Sequence, residues 1–279
     1  MQITPVQKNS DYIIDIKGMG YEGEGVGKMG DFTVFVPGAL TGERVNVKIV
    51  KVTKSFAFGK LLDIVMPSPQ RTEPVCSIYK RCGGCQLQHL SYEGQLNFKK
   101  LRVRDCLSRI GKQQIREKED SEGILLHDTI GMKNPLRYRN KVQLPVGISR
   151  DGDISVGFYA ERSHEIVNLE SCYIQKDTAD AIVRLTKEWM KKFNISPYDE
   201  HKHSGVIRHI MIRHAFRTDE TMIVLVSKGK EIPHIDEFIE LMVKNIKGLR
   251  SIIQNINSKK TNVILAEECI TLWGSDVHN

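Results

Sequence analysis

The stretch Glu43-Arg44-Val45-Asn46-Val47-Lys48-Ile49-Val50 alternates apolar and polar residues. A period of two is the signature of a strand with one buried face and one wet face. Phe32, Val34 and Val36 repeat the pattern upstream, and Phe56–Val65 supplies a further strand downstream. Glycines and charges at 18–30, with Pro37-Gly38, mark the turns. Several short strands within 11–66 predict a small closed or nearly closed barrel of the oligonucleotide-binding kind. Pro67, Pro69 and Pro74 then read as a linker. This divides the chain into a barrel at 1–68 and a second region at 69–279.

Gly25-Val26-Gly27-Lys28-Met29-Gly30 formally matches the dinucleotide fingerprint, which requires a strand before it and a helix after it. Here Asp31–Val36 reads as a strand, so a glycine-rich hairpin is the better account. Beyond the barrel, Ser91 caps a helix over 91–110 that closes at Gly111, with Leu96, Val103, Leu107 and Ile110 near one face. Residues 113–123 read as an exposed polar connection. Strands follow at 138–146, Ile154–Ala160 and Glu165–Leu169. Ile182, Leu185, Trp189 and Phe193 line a helix over Thr178–Phe193. Ile207–Phe216 and Met222–Ser227 are strands, and Asp236–Lys247 is a helix ended by Gly248. Leu249–Ile256, Val263–Glu267 and Ile270–Trp273 close the chain as strands. This is a mixed α/β region, a sheet backed by helices.

The 279 residues carry 41 Lys+Arg against 34 Asp+Glu, a formal charge of +7. The charge is unevenly placed. Residues 99–118 hold eight basic and two acidic residues, and 132–150 hold five basic and none acidic. Residues 201–217 hold four basic, none acidic, and His201, His203, His209 and His214. Segregated basic runs are the electrostatic mark of a polyanion binder. No apolar stretch is long enough to span a bilayer and the first residues lack a signal-peptide core, so a cytoplasmic chain without a membrane partner is expected.

In that compartment clustered cysteines bind metal or do chemistry more often than they pair. Cys76, Cys82 and Cys85 lie in a C-x5-C-G-G-C run, with Gly83 and Gly84 expected to permit a tight turn. Cys172 is the best candidate for a fourth thiolate. Three close cysteines plus one distant one favour a [4Fe–4S] cluster over structural zinc. Cys106 and Cys269 read as small buried residues, and His89 as a hydrogen-bonding one.

The segment Cys76–Leu90 with Cys172, Asn134–Lys141, and Val156–Tyr159 through Ser163–Val167 resemble the RNA uracil-C5 methyltransferases, closest to the bacterial 23S rRNA (uracil-5-)-methyltransferases. The N-terminal residues resemble the family's TRAM domain. The resemblance implies that Cys76, Cys82, Cys85 and Cys172 ligate a [4Fe–4S] cluster. It also implies that Arg137, Tyr138, Arg139 and Lys141 lie near RNA, probed as phosphate contacts and a stacking surface. The family's C-terminal Rossmann-like domain binds S-adenosylmethionine and carries the nucleophilic cysteine that activates uracil. No glycine-rich strand–turn–helix follows Trp273.

The combined expectation is therefore an α+β chain: a TRAM-like β-barrel and a mixed α/β central region with a cysteine-ligated cluster, the methyltransferase domain being absent. The helix at 91–116 would pack on that absent domain. Such a chain would be a monomeric, catalytically inactive RNA-recognition fragment acting on 23S rRNA, without catalytic or cofactor-binding residues, since S-adenosylmethionine is used only by the full-length protein. The rivals are a free-standing iron–sulfur RNA-binding module and a zinc-stabilised structural protein.

Overall fold

A computed structural model describes residues 4–117 and 122–275. Parts of the predicted connection at 113–123 and the last residues lie outside that range. The chain divides into two compact units, but not at residue 68. One runs to Val75 and resumes over Cys85–Lys133; the other comprises Cys76–Gly84 and the chain from Asn134 onward.

The first unit contains the barrel. Its strands are β1 (Asp11–Met19), β2 (Gly25–Met29), β3 (Phe32–Val36), β4 (Arg44–Val52) and β5 (Phe56–Met66), closed in the order β1-β2-β3-β5-β4. Closure leaves no free strand edge. The alternation at 43–50 does what it predicts: Val45, Val47 and Ile49 point into a core shared with Ile14, Ile16, Val34 and Val36. The Gly25–Gly30 run is a β2–β3 hairpin, not a phosphate loop. Gly27 is required there by space, because a Cβ would lie 2.3 Å from the Ile14 side chain.

The proline stretch is not a linker. Glu43 is buried, and its carboxylate accepts from the backbone N–H of Leu40 (2.8 Å) and Ser68 (3.2 Å). Arg71 donates to both oxygens of Glu43 (2.5 and 2.8 Å) and to the Gly38 carbonyl. The same segment pairs onward, since Ser91 N–H donates to Gln70 O and Thr72 N–H to His89 O. The barrel therefore continues through residue 71 into the start of α1 (Tyr92–Asp105), which Ser91 caps by accepting from Gly94 N–H at 3.1 Å. The helix ends in a single π-turn, Cys106–Ile110, and the left-handed residue after it is Lys112 (φ 53°), not Gly111. Val103 and Ile110 are exposed. Two short parallel strands follow, β6 (Ile115–Arg116) and β7 (Ile124–Leu125).

The second unit is a seven-stranded sheet ordered β10-β9-β8-β11-β12-β13-β14. Its strands are β8 (Lys141–Ile148), β9 (Ile154–Tyr159), β10 (Ile166–Asn168), β11 (Ile207–Ala215), β12 (Glu220–Ser227), β13 (Leu249–Ile256) and β14 (Cys269–Gly274). Every neighbouring pair is antiparallel except β12 and β13, which α3 (Ile235–Asn245) joins as a parallel crossover. Between β10 and β11 runs α2 (Asp177–Lys192), burying Ile182, Leu185 and Trp189 as its period predicts. Trp189 meets Phe238 of α3 edge-on at 4.9 Å and donates its indole N–H to the His234 carbonyl.

One predicted strand is missing. Residues 263–266 form no ladder because asparagine side chains take the place of a strand. Asn255 exchanges two 2.8 Å bonds with the backbone of Ala266, and Asn257 Nδ2 donates to the carbonyls of Val263 and Ile264. A carboxamide carries an acceptor oxygen and two N–H donors, so these side chains satisfy this backbone without a neighbouring strand.

Candidate nucleic-acid interface

In the barrel unit the inward phase of β3 and β5 is carried by Val34, Val36, Ala57 and Gly59. The outward phase therefore presents Phe35, Phe56 and Phe58. The parallel β3–β5 register sets Phe35 opposite Phe58, and the three ring centroids lie 5.6 Å apart pairwise. Exposed Lys54 and Lys60 flank them in sequence, and Lys51 lies opposite Phe58 across β4–β5. Half-buried aromatics ringed by lysines form a stacking platform with a cationic rim, suited to unpaired bases. The alternation of Phe32, Val34 and Val36 gives the inward face correctly, and Phe35 was missed because the opposite face was not followed. The outward Phe at the intervening position was the available signal.

The 99–118 run is largely held in pairs on its described residues. Lys100 bonds Asp128 at 2.8 Å, Arg102 covers the Tyr21 ring at 4.2 Å, and Arg104 and Arg109 both approach Asp105.

In the second unit the predicted RNA-facing residues separate. Arg137 adopts φ 56° and turns inward. Its guanidinium donates to the carbonyls of Cys172 (2.5 Å) and Gln175 (3.1 Å), and pairs with Asp180 at 2.8 Å and Asp177 at 2.7 Å. Asp180 in turn accepts from Cys172 N–H and from the Gln175 amide. Arg137 is thus a clamp on the loop carrying Cys172. Tyr138 and Lys141 are exposed and Arg139 half-buried, its N–H bonded to the Ile174 carbonyl. Strand alternation does not govern this segment, because β8 begins only at Lys141.

Cys82 is fixed by its N–H on the Ile78 carbonyl, and the Gly84 N–H points at its sulfur at 3.4 Å. Gly83 and Gly84 are needed for closeness rather than for unusual dihedrals. A Cβ would meet Tyr159 O at 3.0 Å or Cys82 Sγ at 3.3 Å, and neither glycine has positive φ. Cys172 is buried, Cys76 and Cys85 half-buried. Cys106 and Cys269, expected in the core, are exposed. Among the described residues no group of three or more His, Cys, Asp or Glu side chains is placed to hold a metal ion. The iron–sulfur assignment therefore gains no support from the structure.

Residues 5–62 match the family model of the TRAM domain. Beyond it, an uncharacterized RNA methyltransferase of Clostridium tetani is 54% identical over 98% of this chain. One from Clostridium acetobutylicum is likewise 54% identical over 98%, and one from Halalkalibacterium halodurans 42% over 99%. The chain is similar to RNA methyltransferases. It spans 57–58% of the length of these relatives. Its fold matches the crystal structure of Pyrococcus abyssi tRNA (uracil-54, C5)-methyltransferase in complex with S-adenosyl-L-homocysteine, with a TM-score of 0.66 and 23% identity. That match covers 94% of this chain and 55% of the other.

These comparisons overturn the expectation of an inactive fragment from which a methyltransferase domain is absent. The similarity to RNA methyltransferases runs through 98% of this chain and 57% of the relative, and it supports neither the absence of a methyltransferase domain nor inactivity. The relatives are named as RNA methyltransferases, and the comparisons give no support to the rival of a free-standing non-catalytic iron–sulfur module. No helix among the described residues is long and apolar enough to cross a membrane.

Proposed function

We propose that this chain serves S-adenosylmethionine-dependent methylation of RNA at uracil C5, with ribosomal RNA as substrate. The observation that carries the reading is the similarity to RNA methyltransferases along nearly the whole chain, joined to the outward Phe35–Phe56–Phe58 platform on its TRAM barrel. S-adenosylmethionine would supply the methyl group. The residues in hand hold RNA: the platform stacks bases, and Tyr138, Arg139 and Lys141 offer a second aromatic and cationic contact. Deleting the gene should remove a 5-methyluridine from ribosomal RNA, and re-expression should restore it. An unchanged nucleoside profile would sink the reading.

RNA binding has its own expected signature. Neutralising three phosphates of a single strand gives a log–log salt slope of about −2, so a fourfold rise in salt weakens binding by roughly 20-fold. Base–aromatic stacking is worth about 1–3 kcal/mol per base. Phe35→Ala or Phe58→Ala should each weaken binding of a single-stranded ribosomal fragment about tenfold without steepening the salt slope. Filter binding across a salt series separates the two effects.

The ligand set Cys76, Cys82, Cys85 and Cys172 stands as a proposal on sequence spacing. The Gly84 N–H directed at Cys82 Sγ is the kind of donor that stabilises a thiolate. The three-plus-one spacing favours iron, at about four iron and four sulfide per chain in anaerobically purified protein. Stoichiometric zinc without sulfide would reassign the metal, and no metal would remove the set.

A further inference from the structure

The second unit holds a cavity of about 1190 Å³ that none of the roles above uses. It exceeds the roughly 300–1,000 Å³ of ordinary small-ligand sites. Its aromatic walls are Tyr159 and Tyr198, with His164 beside Tyr159 at 5.4 Å between ring centroids. Tyr198 is held rigidly: Arg208 covers its ring at 4.3 Å, and its hydroxyl meets His203 Nδ1 at 2.6 Å. Arg208 is 3% exposed and donates to the carbonyls of Asn257, Lys259 and Thr261, which fixes the loop bearing Lys260 and Asn262 at the cavity wall.

The charge balance selects the ligand. Arg81, Arg150, Arg208 and Lys260 line the cavity, and Asp151, Glu165, Asp199 and Glu200 balance them in number. Glu165 bridges Arg81 (2.9 Å) and Arg150 (2.7 Å), and Glu200 bonds His164 at 3.0 Å. A wall whose charges balance does not concentrate phosphate. It does offer donors and acceptors side by side against aromatic faces, which is what the edge and the face of a nucleobase require. Two further polar atoms in the wall residues, Arg208 Nε and His209 Nδ1, are buried without a hydrogen-bond partner. Burial, then the Arg208 charge, depress His209 to a pKa of about 4, so it presents a neutral ring.

We propose that this cavity receives unstacked bases of single-stranded RNA, seated against Tyr159 and Tyr198 with the phosphates left outside. The proposal rests on the RNA reading above. The probe is a 12-nucleotide single-stranded uridine-rich RNA with 2-aminopurine at one position, moved along the strand, whose fluorescence falls when the base stacks on an aromatic ring. The intact chain should bind it and quench at one or two positions. Tyr159→Leu and Tyr198→Leu should each abolish that quenching and weaken binding about tenfold, while Tyr159→Phe and Tyr198→Phe should retain both. The Phe variants keep the ring, so their behaviour separates stacking from a folding defect. Quenching and affinity unchanged in both Leu variants would overturn the cavity site. The RNA reading would then survive if Phe35→Ala still weakens binding. An intact chain that binds no RNA would overturn both.

Discussion

Arg71→Ala should lower the stability of the barrel unit by about 3–5 kcal/mol, the cost of leaving a buried charge without its partner. Glu43 has no exposed side-chain surface and Arg71 only 20%, so solvent screens the pair weakly. Burial alone would raise the Glu43 pKa. The Arg71 hydrogen bond, the Leu40 and Ser68 N–H groups and the Arg71 charge together outweigh it and hold the carboxyl below its ordinary 4.5. A carboxylate whose folded pKa is depressed contributes stability above its unfolded value. That contribution is full above about pH 4.5 and is lost as pH falls through the lower folded value. Urea denaturation across pH 3–7 should therefore show an acid-side loss in the wild type that is smaller in Glu43→Gln. Glu43→Gln keeps the shape and removes the charge, so it should cost less than Arg71→Ala, about 1–2 kcal/mol. Equal stability of wild type and Arg71→Ala would refute the ion pair as a determinant of the fold.

The second large effect is expected at Arg137. Its guanidinium is 28% exposed and Asp180 15%, whereas Asp177 is 75% exposed and adds little. Arg137→Ala should remove about 3 kcal/mol and loosen the 171–175 loop, because Asp180 and two carbonyls lose a shared donor. Cys172 is buried, so in metal-free protein its reaction with a thiol reagent is the sensitive readout and should accelerate in the variant. Arg137→Lys should rescue poorly, since one ammonium cannot reproduce a planar fork spread over several acceptors. Unchanged Cys172 reactivity in Arg137→Ala would show that the loop is held by Asp180 alone.

These two residues mark where reading the sequence stops. The barrel strands, α2 and most sheet strands are visible as local periods, because each buries one face and the period reports it. Arg71 is invisible in that way: its partner lies 28 positions upstream, and prolines around it imitate a linker. Arg137 and Arg208 both sit in basic runs, and charge composition sends both to the surface. Each is instead turned inward by backbone carbonyls, which no count of charges registers. Val263–Glu267 has strand composition but pairs with asparagine side chains, a choice made by tertiary position. The cysteine spacing was legible, whereas the aromatic platform depends on the β3–β5 pairing that sets Phe35 opposite Phe58.

The Glu43–Arg71 bond also bears on how this barrel could be moved between proteins. The TRAM match ends at residue 62, before Ser68 and Arg71. A cassette cut at that boundary and grafted elsewhere would carry Glu43 in its interior while leaving behind the guanidinium and the Ser68 amide that neutralise it. A graft that ends after residue 71 carries its own counter-charge, and shuffling this barrel as a portable module depends on those nine further residues.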